Sequence, residues 1–373
     1  MRAGTYVLQP AGYRAFIPKD LPPDPPIEMD GELIRLVSQA QGSLCRLDGV
    51  ASVLPNADLF VAMYVRQEAV LSSQIEGIQS SLEDVLEFEA VGGRQTPKDV
   101  EEVVNYVKAM NHGLARLAEL PLSLRLLREI HALLLEGVRG NQKTPGEFRR
   151  SQNWVGPAGA GLANAAFVPP PVHEMRQALG NLERFLHDKT LPDLVNCGLS
   201  HAQFETIHPF LDGNGRIGRL LITFQLCEGN VLEKPLLYLS HYFKHHRAEY
   251  YDRLSAIRDS GDWEGWLKFF LQGVHDVSQS ATSTARAVLA LQEKAQEIIS
   301  GRKSRSTISF RLLDYLFEHP IVTVNMVSDQ LKCSYLTASN AIDEFVNVDL
   351  LREVTGQKRN RRFSFDSYLG LFT

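Results

Sequence analysis

The chain has 373 residues, of which 44% are hydrophobic and 22% are charged, and this length predicts two or three domains with substantial cores. No run of about 20 apolar residues is available to cross a bilayer, and the N-terminus lacks the features of a signal peptide, so we expect a cytoplasmic protein without membrane contact. The formal net charge of −5 excludes nucleic-acid binding by the chain as a whole, because such binding needs a basic surface.

The N-terminal third is predicted to be an extended arm followed by helices. Five prolines lie within residues 18–26 and favour extended chain, so residues 1–28 are interpreted as an arm on the surface. Residues 29–120 carry apolar side chains at helical spacing, which predicts an N-terminal helical domain. Within it, Ser80 and Glu83 have the spacing of a capping box that begins a helix.

The middle of the chain is predicted to be a second helical domain over residues 121–275, interrupted by one β-hairpin. The interrupting segment, residues 146–171, is rich in Gly, Ala and Pro and contains short strand-like pieces around Val155 and Phe167. Residues 276–306 are predicted to be a linker helix that ends in a stretch of Gly, Ser, Lys and Arg.

The C-terminal segment, residues 307–373, has the layout of a winged helix-turn-helix. Three predicted helices precede a hairpin with a basic tip, formed by Lys358, Arg359, Arg361 and Arg362. The tip could contact a phosphate backbone while the helix from about Tyr335 enters a groove of DNA. The same domain could instead contact a protein.

The densest group of candidate functional residues runs from His208 to Arg219 and reads HPFLDGNGRIGR. Pro209 ends the preceding helix, and the imidazole of His208 can accept a proton near neutral pH. The Gly-Asn-Gly segment at 213–215 tolerates positive φ, so its amides can form a nest for an anion at the start of the next helix.

Charged residues beside this segment complete a site for a nucleoside triphosphate. Arg216 and Arg219 lie three apart on the first helical turn, where their guanidinium groups can bind polyphosphate oxygens. Asp212 is placed to hold a divalent metal, since Mg²⁺ takes one or two carboxylates plus phosphate oxygens. A base, a metal ligand, an amide nest and two cations favour attack on a nucleoside triphosphate.

The segment resembles the HPFx[D/E]GNGRxxR signature of the Fic/Doc family, and the match is complete. The resemblance implies a mainly α protein with a Fic-fold helical core, a small β-hairpin flap and the two flanking domains. It implies transfer of AMP from ATP, with Mg²⁺, to a Tyr, Thr or Ser hydroxyl of a target protein and of the enzyme itself. His208 would be the general base and Asp212 the metal ligand. The implied nucleotide-binding residues are Gly213, Asn214, Gly215, Arg216, Ile217, Gly218 and Arg219.

Residues 72–77, Ser-Ser-Gln-Ile-Glu-Gly, resemble the [S/T]xxxE[G/N] inhibitory helix motif that some Fic proteins carry before the catalytic domain. Ser72 and Glu76 share a helix face at positions i and i+4, and Gly77 ends the helix. By this resemblance, Glu76 would pair with Arg219 and occupy the γ-phosphate site. The enzyme would then inhibit itself.

Two other regions resemble parts of Fic proteins. The segment that begins Gly-Glu-Phe-Arg at 146–149 is similar to the flap, an edge that can add a strand from an extended target. Tyr250 and Tyr251 resemble a pair near the adenine, with Tyr251 predicted to contact the base, although a tyrosine pair on a helix is commonly core. The family also indicates a homodimer.

Two other functions stay open. Glu76 could orient a water molecule, so that the same site removes AMP from a modified protein. Alternatively, the chain could be a DNA-binding regulator that uses the Fic site as a sensor.

Overall fold

The computed structural model describes residues 2–52, 54, 57–91, 97–157, 159, 161–301, 307–357 and 359–372. It begins with two antiparallel strands, β1 (Gly4–Leu8) and β2 (Arg14–Pro18). Part of the predicted arm is therefore a hairpin. The reason is tertiary: Phe16 is fully buried, and its N–H donates to the carbonyl oxygen of Val168 at 3.0 Å.

Four helices follow: α1 (Gly31–Ala51), α2 (Ala57–Ile75), α3 (Leu82–Val91) and α4 (Lys98–Leu117). Helix α2 ends at Ile75, two residues before Gly77, which has a φ of +87°. Helix α3 begins with a capping box in which the amide of Asp84 donates to Ser81 Oγ at 3.1 Å and the amide of Ser81 donates to the Asp84 carboxylate at 2.8 Å. This box lies one residue after the predicted Ser80–Glu83 pair, because Ser80 is buried in the preceding turn.

Seven helices form the centre of the molecule: α5 (Leu124–Leu134), α6 (Val172–Leu186), α7 (Asp193–Ile207), α8 (Asn214–Glu228), α9 (Ser240–His245), α10 (Arg247–Ser260) and α11 (Trp263–Ser300). Helices α7 and α8 pack on each other and are buried on nearly all sides. The loop of residues 208–213 joins them. It is therefore held between two buried helices.

The flap, residues 146–171, lies between α5 and α6. Among the described residues of the flap, the predicted hairpin is reduced to one antiparallel bridge, in which Val155 and Phe167 exchange backbone hydrogen bonds of 2.8 and 3.0 Å. The Gly and Pro residues on both sides do not favour longer strands. The ring of Phe16 lies 6.4 Å from that of Phe167, so the N-terminal hairpin supports the flap.

Helix α11 has 38 residues and packs along α1, burying small side chains such as Ala281 and Ala285. The predicted boundary between residues 275 and 276 lies inside this helix. The end of the predicted linker, residues 302–306, lies outside the described residues. Within the described part of the chain, no helix is long and apolar enough to span a membrane.

The C-terminal region contains α12 (Thr307–Glu318), β3 (Ile321–Thr323), α13 (Val324–Leu331), α14 (Tyr335–Val346), β4 (Arg352–Glu353), β5 (Arg362–Ser364) and α15 (Asp366–Leu369). The antiparallel sheet has the order β3-β5-β4. Three helices and a hairpin confirm the predicted winged helix-turn-helix. Helix α12 packs on α2, and β3 packs on α3, so this region lies against the N-terminal helices.

Candidate active site

His208 follows α7 in the left-handed conformation, with φ of 49° and ψ of 61°. Such a backbone costs a non-glycine residue about 1–3 kcal/mol and needs support from its surroundings. The carbonyl oxygen of His208 accepts hydrogen bonds from Arg149 Nε at 3.0 Å and from Asn153 Nδ2 at 3.1 Å. The flap therefore fixes the backbone turn that presents the imidazole.

Hydrogen bonding defines which nitrogen of His208 can act as a base. Nδ1 lies 3.3 Å from the carbonyl oxygen of Glu205, and a carbonyl only accepts, so Nδ1 carries the proton. Nε2 keeps its lone pair. Burial, aided by the charge of Arg149 and opposed by the Glu205 bond, lowers the pKa of His208 to about 4. The ring is neutral at pH 7 and can accept a proton.

The Gly-Asn-Gly segment is partly loop and partly helix. Gly213 has a φ of +76°, whereas Asn214 and Gly215 are the first residues of α8. The amide of Ile217 donates to Gly213 O at 3.0 Å, so the amides of residues 214–216 precede the first bond of the helix. The predicted nest is thus largely a helix N-terminus, which attracts anions through its amides and dipole.

Asp212 lies beside the N-terminus of α8. Its Oδ1 accepts from the amide of Gly213 at 2.6 Å and lies 3.6 Å from Arg216 Nη2, and 36% of the side chain is exposed. One anchored, accessible carboxylate beside an anion site fits the donor set that Mg²⁺ uses with phosphates. Among the described residues, no cluster of three His, Cys, Asp or Glu side chains could hold a metal on its own.

Arg216 is buried and paired. Its Nη1 lies 3.0 Å from Glu102 Oε2 on α4, and each side chain is only 2% exposed. The pairing orients Arg216, because a buried guanidinium without a partner is strongly unfavourable. Burial raises the pKa of Glu102, although Arg216 and Arg139 oppose the shift. Sequence reasoning missed Glu102; the available signal was an acid on the α4 face that also carries Tyr106 and Ala109.

Arg219 is bound to the end of α2. Its Nε donates to Ser72 Oγ at 2.8 Å, and its Nη2 donates to Ser72 O at 3.0 Å and to Glu76 Oε1 at 2.7 Å. The structure therefore brings Ser72, Glu76 and Arg219 together across 143 residues or more of sequence.

The Glu76 carboxylate also lies over the start of α8. A side chain at Gly215 would overlap Glu76 Oε1, so the carboxylate is in contact with the helix N-terminus. Burial opposes ionisation of Glu76, but the charge and hydrogen bond of Arg219, with Arg216 and His208, outweigh it and lower its pKa. Glu76 is thus a carboxylate anion at the position predicted for a phosphate.

Arg149 is a buried cation whose side chain binds carbonyl groups. Besides His208 O, it donates to Pro170 O at 2.5 Å and Ser151 O at 3.2 Å, and its amide donates to Pro209 O at 2.9 Å. Burial lowers its pKa to about 10, so it stays charged at pH 7. Sequence reasoning placed Arg149 in the flap but did not foresee that it holds the loop of His208.

His131 supports the same loop from α5. Its Nδ1 accepts from the amide of Gly146 at 2.9 Å, so the proton is on Nε2, which donates to Asp212 O at 3.1 Å. The ring stacks on Phe210 with centroids 3.8 Å apart. Burial lowers the pKa of His131 to about 4. Sequence reasoning missed this residue as well.

The other predicted residues lie around the site. Ile217 is fully buried in the core, and Gly218 leaves space for the Glu205 carboxylate, which would overlap a side chain there. Burial raises the pKa of Glu205 to about 7. Tyr251 is 37% exposed, and the Arg247 guanidinium lies 5.3 Å from its ring centroid.

Two arginines of the C-terminal basic tip form ion pairs. Arg362 Nη1 lies 3.0 Å from Glu87 Oε2 of α3, and Arg361 Nη2 lies 3.8 Å from Asp343 Oδ1 of α14. Residue 358, predicted to belong to this cluster, lies outside the described residues.

Three family models match the chain. Residues 34–115 match the model described as Fic/DOC family N-terminal, and residues 121–226 match the Fic/DOC family. Residues 310–363 match an HTH DNA binding domain. The His208 loop and the start of α8 lie within the second range.

Curated relatives resemble about half of the chain. The chain is 28% identical over 184 residues to the protein adenylyltransferase Fic of Drosophila melanogaster, a match that covers 48% of this chain and 34% of that protein. It is 29% identical over 180 residues to a probable protein adenylyltransferase of Aquifex aeolicus, covering 46% and 51%. The matches span about a third and a half of these relatives.

The fold also has relatives among solved structures. A Fic family protein from Desulfovibrio desulfuricans G20 is similar with a TM-score of 0.58 and 19% identity, and the alignment covers 91% of this chain and 97% of that chain. A Fic domain containing signaling protein from Bacteroides thetaiotaomicron has a TM-score of 0.52 and 17% identity, covering 69% and 97%. These likenesses show a shared fold.

Proposed function

This chain belongs to the Fic/DOC family, whose N-terminal and central domains it carries, and we propose on that basis that it is a protein adenylyltransferase. It would transfer AMP from ATP to a Tyr, Thr or Ser hydroxyl of a target protein and of itself. The observation that carries the proposal is a neutral His208, with its proton fixed on Nδ1, on the loop that leads to the N-terminus of α8.

In the proposed reaction, Nε2 of His208 removes the proton from the acceptor hydroxyl as the oxygen attacks the α-phosphorus of ATP. The bond between the α-phosphorus and the oxygen bridging to the β-phosphate breaks, and pyrophosphate leaves with the electron pair. AMP stays on the acceptor. The pKa of about 4 keeps Nε2 unprotonated across the physiological range.

The residues of α8 would stabilise the charge that develops on the leaving pyrophosphate. The amides at 214–216 and the dipole of α8 are fixed before the reaction, as are the guanidinium groups of Arg216 and Arg219. Asp212 would hold Mg²⁺, which neutralises phosphate charge when it is bound.

We further propose that Glu76 inhibits the enzyme. Its carboxylate carries the same charge as a phosphate, binds Arg219 and lies over Gly215, so it competes with the γ-phosphate for the same groups. ATP would bind productively only after Glu76 withdraws. The resting activity should therefore be low.

We propose that the flap receives the target. The bridge of Val155 and Phe167 lies in the segment that holds His208, and its neighbour Trp154 is 42% exposed. An extended target segment beside this bridge would present a side-chain hydroxyl to the imidazole.

Intact-mass analysis after incubation with ATP and Mg²⁺ tests the function. We expect Glu76→Gly to gain AMP units, the wild type to gain far fewer, and the double variant with His208→Ala to gain none. His112→Ala, which removes a partly exposed imidazole from α4, is the matched control and should leave labelling of Glu76→Gly intact. An unlabelled Glu76→Gly protein, with or without added targets, would contradict the proposal.

The exposure of Glu76 favours a second candidate, removal of AMP from a modified protein. One third of its side chain is exposed, so its carboxylate could orient a water molecule beside Arg219. Supplying an AMP-modified target separates the two functions. Release of free AMP by the wild type, lost in Glu76→Gly, would identify the hydrolytic activity.

A further inference from the structure

Helix α2, which leads directly into Glu76, is covered by the winged helix. In the middle of α2, Gln67 Nε2 donates to the carbonyl oxygen of Phe372 at 2.6 Å. The ring of Phe372 packs against Phe60 and Tyr64, with centroids 6.3 and 5.4 Å apart. Helix α2 therefore touches the active site with its C-terminal end and the winged helix with another face.

Helix α3 links α2 and the winged helix through ion pairs. Glu87 pairs with Arg362 of β5 at 3.0 Å, and Glu89 pairs with Arg66 of α2, with 2.9 Å between Arg66 Nη2 and Glu89 Oε2. The side chain of Arg66 is only 11% exposed, which strengthens its attraction to Glu89. Helix α3 is thus an acidic connector between α2 and the hairpin of β4 and β5, which we call the wing.

A groove of about 760 Å³ opens beside this connector. It lies between the wing and the first turns of α13 and α14, and Ala90 at the end of α3 also lines it. Its charged lining comprises three arginines and one carboxylate, namely Arg359, Arg361, Arg362 and Asp329. Three arginines next to the capped start of α13 suit a phosphate backbone.

The start of α14 is exposed next to this groove. Tyr335 and Leu336 are 59% and 68% exposed, and residues 335–340 carry no charge. In a helix-turn-helix, the N-terminal residues of the second helix contact base edges. The family match to an HTH DNA binding domain covers this helix and most of the wing.

We propose that the groove binds duplex DNA and that this binding releases α2, and with it Glu76, from the active site. The consequence for catalysis rests on the proposed function; the binding itself does not. Arg362 cannot pair fully with both Glu87 and a DNA phosphate, and the carboxylates of Glu87 and Glu89 repel phosphates. DNA therefore binds a winged helix detached from α3 more tightly than a docked one, and shifts the population accordingly.

A second cavity gives α2 room to move. It has a volume of about 620 Å³ and lies along α2, between this helix, α9, α11 and the C-terminal residues. Val70 and Gln74 of α2 line it together with Phe372. If the winged helix leaves, α2 loses the Phe372 contacts and borders a widened space. The end of α2 is then held by Arg219 and by the bond of 3.2 Å from Arg247 Nε to the carbonyl oxygen of Ile75.

The coupling must be reciprocal. If DNA favours the released state, a ligand that needs the same state must tighten DNA binding by the same factor. ATP with Mg²⁺ is that ligand, because its phosphates compete with Glu76. We expect a factor of about ten, within the usual range for coupled sites.

The first experiment measures DNA binding and α2 release without using catalysis. A fluorescent duplex of random sequence is titrated with the full chain, and hydrogen exchange of the α2 amides is followed with and without DNA. We expect binding together with faster exchange over residues 57–75. Absence of binding, or binding with unchanged exchange of α2, would overturn the proposal; binding of a protein partner instead would overturn the choice of DNA.

Variants of the connector sharpen the result. Glu87→Gln should bind DNA several-fold more tightly than the wild type, whereas Glu119→Gln, an equal charge change on an exposed residue after α4, should have no such effect. Arg359→Ala with Arg361→Ala should lose DNA binding and the exchange change together. Equal DNA affinity of Glu87→Gln and the wild type would contradict the competition between Glu87 and phosphate.

The enzymatic consequence is tested by labelling with ATP. DNA should increase labelling of the wild type about tenfold and leave Glu76→Gly, which lacks the inhibitor, unchanged. If Glu76→Gly is active and the wild type binds DNA without stimulation, the coupling is wrong and the transferase function stands. If Glu76→Gly is inactive, the proposed function fails, and the exchange experiment still decides the coupling.

Discussion

The loop of residues 208–213 and the end of α2 at residues 72–77 meet at the start of α8, but they are held in place by different forces. The loop is fixed by hydrogen bonds to its backbone from the buried side chains of Arg149, Asn153 and His131. The end of α2 is held to α8 by Arg219, which binds Ser72 and the carboxylate of Glu76. One third of the Glu76 side chain is exposed.

This difference makes the loop of residues 208–213 a permanent part of the site and the end of α2 a removable part. Breaking buried backbone bonds leaves acceptors without partners and destabilises the fold. Withdrawing Glu76 costs less, because water can solvate its carboxylate and, in the proposed function, an ATP phosphate replaces it at Arg219. In the proposed function, the same site is therefore rigid in the groups assigned to catalysis and adjustable in the proposed inhibitor.

The largest expected effect comes from Arg149→Leu, which removes hydrogen bonds that hold the loop of residues 208–213. Carbonyl groups of residues 151, 170 and 208 lose a buried donor, so the free energy of unfolding should fall by about 3 kcal/mol. Urea unfolding measures this loss. The neighbour Arg150 is 81% exposed, and Arg150→Leu should change stability by less than about 0.5 kcal/mol. Equal losses in the two variants would show that the carbonyl contacts contribute nothing.

A smaller effect is expected from Ser72→Ala, which weakens the removable part. Nε of Arg219 loses its buried acceptor, so the contact with α2 should weaken by about 1 kcal/mol, which corresponds to about a fivefold rise in AMP labelling over the wild type. Ser73→Ala is the matched control, because Ser73 is equally buried and its Oγ has no partner among the described residues. Unchanged labelling of Ser72→Ala would argue against inhibition through Arg219.

The smallest effect is expected from pH. Because the pKa of Glu76 is lowered, its pairing with Arg219 is complete above the ordinary carboxyl pKa and is lost only when pH falls through the lowered value. His208 is protonated only near pH 4. We expect kcat/KM of Glu76→Gly to be nearly constant from about pH 8 to about pH 5 and to fall below that. A fall of kcat/KM on the acid side that is centred near an ordinary histidine pKa would contradict the interpretation of His208 as a buried, neutral base.

Local patterns predicted the elements that depend on neighbours in sequence. The helix that ends at His208, the helix next to the Gly-Asn-Gly segment, the break at Gly77 and the three helices of the winged region follow from spacing, proline and glycine. The start of the second of these helices was predicted at about Arg216, two residues after its start at Asn214. The capping box was predicted one residue too early, since burial of Ser80 is a tertiary property. The N-terminal hairpin was missed because the flap supplies the contact that stabilises it.

The sequence by itself determined the chemical groups of the site: His208, Asp212, the amides that open α8, and Arg216 and Arg219 lie within one short segment, whose geometry local backbone rules constrain. Only the tertiary structure decided what these groups contact. Glu102 and Arg149 depend on burial between elements distant in sequence, and the contact of Glu76 with Arg219 depends on where α2 is packed. Hydrogen bonds and charges act over a few ångströms of space, and sequence distance does not report that separation.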